Sequence, residues 1–186
     1  MKDIRGLILT GGRSERFGRD KYMYPFHDKP QFQWLLDLCQ GADLPAKLSC
    51  SLEQVPSLLD QPYIVDRYSQ IGPIGGIASA MIEYSGPWLV IACDLPLITE
   101  KTLTKLMLAW DGTTDIVTYF DTNQHYPETT LTIYGPSCAV HIQEAIRAEK
   151  FSLRELIGKL KVRLLTPTCP EELHNANYPI DTTRKG

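Results

Sequence analysis

The segment from residue 10 to residue 21 has the residue types that bind phosphate groups. It is Gly-rich and carries four cations, and it directly follows a short apolar run. Glycine lets the backbone approach a ligand and point N–H groups at phosphate oxygens, while Arg and Lys supply compensating charge. The spacing is neither a P-loop nor a GxGxxG fingerprint, and a solvated basic turn is the alternative interpretation. The residues concerned are Thr10, Gly11, Gly12, Gly18, Arg13, Arg16, Arg19 and Lys21.

A carboxylate follows the most apolar stretch of the chain. Asp94 comes directly after six apolar residues (88–93), which predict a strand that is covered on both faces. An aspartate at the carboxyl end of such a strand is placed to bind Mg²⁺ together with substrate phosphates. A helix N-cap is the alternative role, although Thr99 is better placed to cap the next helix.

Two weaker signals lie elsewhere. Asp66 ends a short strand candidate and is followed by the Gly-rich segment 72–76, which repeats the pattern of strand, carboxylate and glycine loop. Asn175 and Asn177 place two amides two residues apart near the C-terminal end, where they could hydrogen-bond a heterocycle. Both segments could also be plain turns.

The rest of the chain predicts the elements that must position these groups. Apolar patterning predicts alternating strands and helices, typical of an α/β domain with a mainly parallel sheet. We expect one domain over residues 1–186. The predicted strands are 4–9, 47–51, 62–65, 88–93, 115–119, 129–134 and 162–165, and helices are predicted to begin near residues 30, 77, 100, 136 and 152.

Composition excludes several classes of protein. Of the 186 residues 43% are hydrophobic and 22% charged, which is ordinary for a globular chain and unlike a disordered one. A net charge of −3 argues against a nucleic-acid partner, and no apolar run is long enough to span a membrane. The five cysteines lie far apart, are odd in number and lack metal-ligand spacing, which favours a reduced, intracellular chain, and the four histidines also lack such spacing. The lack of a long apolar run favours a cytoplasmic protein without a membrane partner.

Taken together, these segments resemble the molybdenum cofactor guanylyltransferases. Residues 9–21 (LTGGRSERFGRDK) resemble that family's LxGGxSxRxGxDK signature, and residues 93–96 (CDLP), 152–156 (SLREL) and 175–179 (NANYP) resemble later motifs in the same order. Pro25-Phe26, Asp66 and residues 71–76 (IGPIGG) fall between them. The resemblance extends over nearly the whole chain.

The resemblance implies a Rossmann-like three-layer sandwich of the nucleotide-diphospho-sugar transferase type. It further implies transfer of GMP from GTP to the terminal phosphate of molybdopterin with Mg²⁺ as cofactor, release of pyrophosphate, and molybdenum-insertion or molybdoenzyme chaperone proteins as candidate partners. In this chain the implied catalytic residues are Lys21, Asp94 and Arg16, and Asp94 would also bind the metal. The implied nucleotide-binding residues are Leu9, Thr10, Gly11, Gly12, Lys21, Asp66 and Asp94, and the implied pterin-side residues are Asn175 and Asn177.

Other functions remain open at this point. A cytidylyltransferase for the same pterin or a sugar-phosphate nucleotidyltransferase would share the fold. A non-catalytic GTP-binding module or a structural domain that binds no nucleotide are alternatives from other classes. The Thr10-Gly11-Gly12 sequence favours guanine, and Lys21 with Asp94 favours catalysis.

Overall fold

A computed structural model describes residues 3–11, 21–58, 60–121 and 124–176. Its strands are β1 (Arg5–Leu9), β2 (Ala46–Cys50), β3 (Tyr63–Val65), β4 (Trp88–Ala92), β5 (Ile116–Asp121), β6 (Tyr126–Tyr134) and β7 (Val162–Leu165). These seven strands form one sheet in the order β3-β2-β1-β4-β6-β5-β7. Strand β6 is antiparallel to β4 and β5, and every other neighbouring pair is parallel.

Helices cover both faces of this sheet. They are α1 (Gln31–Gly41), α2 (Val55–Leu58), α3 (Pro73–Glu83), α4 (Glu100–Ala109), α5 (Cys138–Arg147) and α6 (Leu153–Ile157), with short 3₁₀ helices at Lys21–Met23 and Pro170–Leu173. Helices α1 and α4 pack over one face, where Leu35 and Leu106 join a core that includes Ile8 and Ile91. Helices α3, α5 and α6 cover the other face. The predicted three-layer α/β sandwich is therefore confirmed.

Strand β4 has the environment that its apolar run predicts. Its neighbours are β1 on one side and β6 on the other, and Trp88, Leu89 and Val90 are fully buried. Burial of each large apolar side chain contributes about 1.5–3 kcal/mol. The strand is consequently fixed in register, with Leu9 opposite Ala92 at the end that precedes Asp94.

Two local predictions were wrong. The Gly-rich segment 72–76 is not a loop, because Pro73 begins α3 and Gly75 and Gly76 lie in its first turn. Strand β6 begins at Tyr126 rather than near residue 129, because the chain pairs Tyr126 with Asp121 and forms a hairpin with β5. In addition, no helix in the described ranges is long and apolar enough to cross a membrane.

Candidate nucleotide site at the carboxyl edge of the sheet

Three of the predicted site residues follow strands that end at the same edge of the sheet. Gly11 lies two residues beyond β1, Asp66 directly follows β3 and Asp94 lies two residues beyond β4. In parallel sheets this edge is where ligands bind. The strand order places β1 and β2 between β3 and β4, so the two carboxylates follow strands that are three spacings, or about 14 Å, apart.

Asp94 is paired with the lysine that closes the Gly-rich loop. The Nζ of Lys21 lies 3.5 Å from Oδ2 of Asp94, and both side chains are about one quarter exposed, at 24% and 28%. Burial raises the pKa of Asp94, and the Lys21 ammonium opposes that rise. The sequence predicted both residues for the phosphate end of a nucleotide, and the structure brings them together.

The backbone around Asp94 is anchored by distant segments. Nε2 of His27 lies 2.7 Å from the Pro96 carbonyl oxygen, within hydrogen-bond distance. The His27 ring stacks on Trp34 of α1, and the two ring centroids are 4.1 Å apart. The Ala176 N–H donates to the Asp94 carbonyl at 2.8 Å. Asp94 does not cap a helix, because Thr99 caps α4 by accepting from the Thr102 N–H. The N-cap alternative for Asp94 is therefore excluded.

Asp66 reaches across the end of β2 toward β1. Its Oδ1 accepts a 2.6 Å hydrogen bond from the Ser49 hydroxyl. A Cβ built on Gly11 would lie 3.9 Å from its Oδ2. Burial raises the pKa of Asp66 from 3.8 to about 6, although the hydrogen bond from Ser49 acts in the opposite direction. Asp66 therefore lies beside the first glycine of the Gly-rich loop.

Thr10 is held from several directions at the end of β1. Its N–H and its hydroxyl both donate to the Ser49 carbonyl, at 3.0 and 2.6 Å. Its own carbonyl accepts from Nε2 of Gln54 at 3.2 Å, and the Gln54 Oε1 accepts from the Ser51 N–H at 2.9 Å. The Thr10 hydroxyl proton is therefore donated within the protein, to the Ser49 carbonyl. Thr10 contributes to the candidate site as the residue that links β1 to the Gly-rich loop.

The glycines of α3 serve packing. A Cβ on Gly76 would collide with the Ser49 hydroxyl and lie 3.1 Å from Leu9 Cδ2, and a Cβ on Gly75 would lie 2.5 Å from the Tyr68 carbonyl. Glycine lets the first turn of α3 approach β1 and β2 closely. The first turn of α3 therefore packs directly against Ser49, whose hydroxyl donates to Asp66.

Sequence reasoning missed Ser49, Gln54 and His27. Ser49 is a polar residue inside the predicted strand 47–51, which the sequence alone shows, and it is 1% exposed in the structure. Gln54 and His27 act through partners 44 and 69 residues away, which no local spacing reveals.

The remaining predicted residues fall in two groups. Leu9 is buried at the end of β1, and Asn175 lies one residue before Ala176, beside the Asp94 backbone. Gly12, Arg16 and Asn177 lie outside the described residues.

A divalent cation fits the donor set around Asp94. Oδ1 of Asp94 and Oδ1 of Asn175 are both buried and have no hydrogen-bond partner in the described part of the chain. Mg²⁺ prefers such oxygens and completes its shell with water and phosphate. No group of three or more His, Cys, Asp or Glu side chains in the described ranges is arranged to bind a metal. Any cation here would need ligands from the substrate.

The fold and site define a nucleotidyltransferase of the α/β class. A family model described as a MobA-like NTP transferase domain matches residues 6–164. The chain belongs to this family.

Similarity to individual proteins extends over most of the chain. A molybdenum cofactor biosynthesis bifunctional protein of Synechocystis sp. is 31% identical over 96% of this chain, which spans 52% of that relative. A molybdenum cofactor guanylyltransferase of Xanthomonas euvesicatoria is 28% identical, over 96% of this chain and 92% of the relative. Molybdopterin-guanine dinucleotide biosynthesis protein A from Archaeoglobus fulgidus has a similar structure, with a TM-score of 0.81 at 22% identity, over 97% of this chain and 95% of the other.

Proposed function

We propose that this protein transfers GMP from GTP to the terminal phosphate of molybdopterin and releases pyrophosphate. The names of the Xanthomonas and Archaeoglobus proteins support this substrate pair. The observation that carries the proposal is the Lys21–Asp94 pair at the carboxyl edge of the sheet.

The chemistry needs few protein groups. An oxygen of the acceptor phosphate forms a bond to the α-phosphorus of GTP, and the bond from that phosphorus to the α,β-bridging oxygen breaks, so that this oxygen leaves as a terminal oxygen of pyrophosphate. The acceptor phosphate is already anionic at neutral pH, so no general base is required. Catalysis then depends on alignment of the two phosphates and on stabilisation of the developing charge.

Lys21 and Asp94 supply complementary functions in this scheme. Lys21 is one of the groups that neutralise the triphosphate, and Arg16 is proposed to assist it from the loop. Asp94, with Asn175 nearby, would hold Mg²⁺, which supplies charge stabilisation as pyrophosphate departs. The ion pair keeps both side chains at the edge of the sheet before GTP binds.

The nucleoside is proposed to bind at the ends of β1 and β3. Leu9, Thr10, Gly11 and Gly12 would form the wall against the base and ribose. Asp66 is held by Ser49 through Oδ1, so its Oδ2 can accept from a ribose hydroxyl. A Cβ at position 11 would be in van der Waals contact with Oδ2 of Asp66, at 3.9 Å, and glycine leaves that oxygen without this contact.

The acceptor and the cellular context are also proposals. Asn175 and Asn177 are proposed to lie on the pterin side of the site. We further propose a cytoplasmic location and transfer of the product to molybdenum-insertion or molybdoenzyme chaperone proteins.

The direct test is incubation of the protein with molybdopterin, Mg²⁺ and each of GTP, CTP, ATP and UTP, followed by detection of dinucleotide and pyrophosphate. We expect product with GTP, and loss of that product in Asp94→Asn. Lys29→Ala is the matched control, because Lys29 pairs with Asp37 on an exposed face and should retain full activity.

The other outcomes separate the alternatives. Product with CTP alone would make the protein a cytidylyltransferase, and GTP binding without pyrophosphate would indicate a binding module. Absence of both binding and turnover would refute the proposed function.

A further inference from the structure

The two ends of the Gly-rich loop are hydrogen-bonded to the same short segment of the chain. The loop follows β1 at Thr10 and closes at Lys21, which begins a 3₁₀ helix with Tyr22. Residues 54–57 lie between β2 and β3 and contact both ends. The contacts join positions 44 and 35 residues apart in the sequence, so they exist only in the folded chain.

Gln54 holds the end at which the loop begins. Its Nε2 donates to the Thr10 carbonyl at 3.2 Å, and its Oε1 accepts from the Ser51 N–H at 2.9 Å. These partners fix the orientation of the amide, because a backbone N–H only donates and a carbonyl only accepts. Gln54 therefore joins the end of β1 to the residue that follows β2.

Ser57 holds the end at which the loop closes. Its hydroxyl donates to the Gln54 carbonyl at 2.6 Å, so the Tyr22 hydroxyl donates to Ser57 Oγ at 2.8 Å. Tyr22 is 3% exposed, and its ring lies against Phe32 of α1 with centroids 6.1 Å apart. Because Lys21 directly precedes Tyr22, a fixed Tyr22 restricts where the Lys21 backbone can lie.

We propose that Gln54 and Ser57 are positioning residues that together clamp both ends of the Gly-rich loop. Gln54 acts through Thr10, and Ser57 acts through Tyr22 on Lys21. The Gln54 carbonyl accepts from both the N–H and the hydroxyl of Ser57, at 2.9 and 2.6 Å, so the two halves of the clamp are coupled. A loop whose ends are already fixed loses less conformational entropy when it binds a triphosphate. That the triphosphate is GTP rests on the proposed function.

Amide hydrogen exchange of the whole, unliganded protein tests the clamp without nucleotide. Tyr22→Phe removes one hydroxyl, and coupling through the clamp predicts faster exchange at the other end of the loop, at the Thr10 N–H. Gln54→Glu keeps the size of the side chain and loses the donor to Thr10. That variant should speed exchange of the Tyr24 N–H, which donates to the Lys21 carbonyl at 3.1 Å. We expect each rate to rise by about 3-fold or more relative to the amides of β4, which report global stability.

Tyr84→Phe is the matched control for Tyr22→Phe. The Tyr84 hydroxyl donates to the Asp3 carbonyl at 2.9 Å, just before β1 begins and therefore at the opposite edge of the sheet. Its loss should leave exchange at both ends of the loop unchanged. Ser57→Ala breaks the Tyr22 contact from an exposed position, so it replaces Tyr22→Phe if that variant fails to fold.

Calorimetric titration with GTP, in the absence of an acceptor, tests what the clamp does for binding. Tyr22→Phe and Ser57→Ala add no charge near the triphosphate, and each should weaken GTP binding by about 3–10-fold. The double variant should bind GTP like Ser57→Ala alone, because both changes remove the same Tyr22–Ser57 hydrogen bond. A purely structural contact would change the free energy of unfolding and leave the affinity of the folded protein for GTP unaltered.

The outcomes separate this inference from the proposed function. Exchange at Thr10 that is equal in Tyr22→Phe and Tyr84→Phe would overturn the inference, and so would a measurable but equal GTP affinity in these two variants. Coupled exchange at both ends of the loop in a protein that binds no GTP would keep the clamp and refute the proposed function.

Discussion

Replacement of Asp66 by Asn should stabilise the protein at neutral pH and not at low pH. Burial raises the pKa of Asp66 from 3.8 to about 6, so the folded state holds this proton more tightly than the unfolded chain does. The contribution of Asp66 to the free energy of unfolding is therefore fully present below its unfolded pKa of 3.8 and is lost as pH rises through its folded pKa of about 6. At pH 7.5 the unmodified protein therefore folds with a buried charge that Asn does not carry.

The size of the effect follows from the two pKa values. A rise from 3.8 to about 6 corresponds to at most about 3 kcal/mol, of which about 2 kcal/mol would develop between pH 4.5 and 7.5. Because the side chain is partly exposed, solvent screening reduces this to about 1–2 kcal/mol. Asn keeps the size of the side chain and can still accept from the Ser49 hydroxyl.

Urea unfolding at pH 4.5 and 7.5 measures the difference. The free energy of unfolding of Asp66→Asn, relative to the unmodified protein, should increase by about 1–2 kcal/mol between the two pH values. Asp115→Asn is a control of opposite sign, because hydrogen bonds from Ser137 and the Lys161 backbone lower the pKa of Asp115. That variant should lose stability to a similar extent at pH 7.5 and at pH 4.5, because the contribution of a carboxyl with a lowered pKa is lost only as pH falls below the unfolded value of 3.8. An Asp66→Asn protein destabilised equally at both pH values would refute the reasoning.

Three further substitutions test other parts of the structure. Gln31→Leu should raise the free energy of unfolding by about 1–3 kcal/mol in urea titrations, because the fully buried Gln31 amide has no hydrogen-bond partner in the described residues. Gly76→Ala should lower the free energy of unfolding by about 1–3 kcal/mol, because the new methyl group collides with the Ser49 hydroxyl; chemical denaturation measures this. Asp94→Asn should fold normally in circular dichroism yet reduce kcat by about 100-fold, since it removes a charge worth about 2.7 kcal/mol in the transition state.

Local sequence patterns correctly predicted features that depend on a single strand or helix. The unbroken apolar run before Asp94 predicted a doubly covered strand, and β4 is buried on both faces. Thr99 was predicted to cap the next helix, and its hydroxyl does accept from Thr102. These features depend on residues a few positions apart, which is the range that hydrophobic periodicity and capping rules report.

Local sequence patterns did not predict features that depend on contacts with distant parts of the chain. A Gly-Pro-rich segment is typical of a loop, but Gly75 and Gly76 are glycines because Tyr68 and Ser49 approach their backbone closely. The antiparallel direction of β6 follows from its pairing with both β4 and β5, and periodicity does not encode strand direction. Only the folded chain shows these contacts.

The environment of Asp94 illustrates how a locally predicted residue becomes a site. Pairing of β4 with β1 fixes where the strand ends, but three other segments determine the surroundings of the carboxylate. Lys21 pairs with the side chain, His27 holds the Pro96 carbonyl, and Ala176 donates to the Asp94 carbonyl. These contacts restrain the Asp94 backbone, and Oδ1 of the carboxylate has no hydrogen-bond partner among the residues that the structure describes. A charge that is held in place before the reaction stabilises a transition state without reorganisation at the moment of reaction. Substitutions at His27 that remove the Pro96 contact should therefore lower kcat more than they change the KM for GTP.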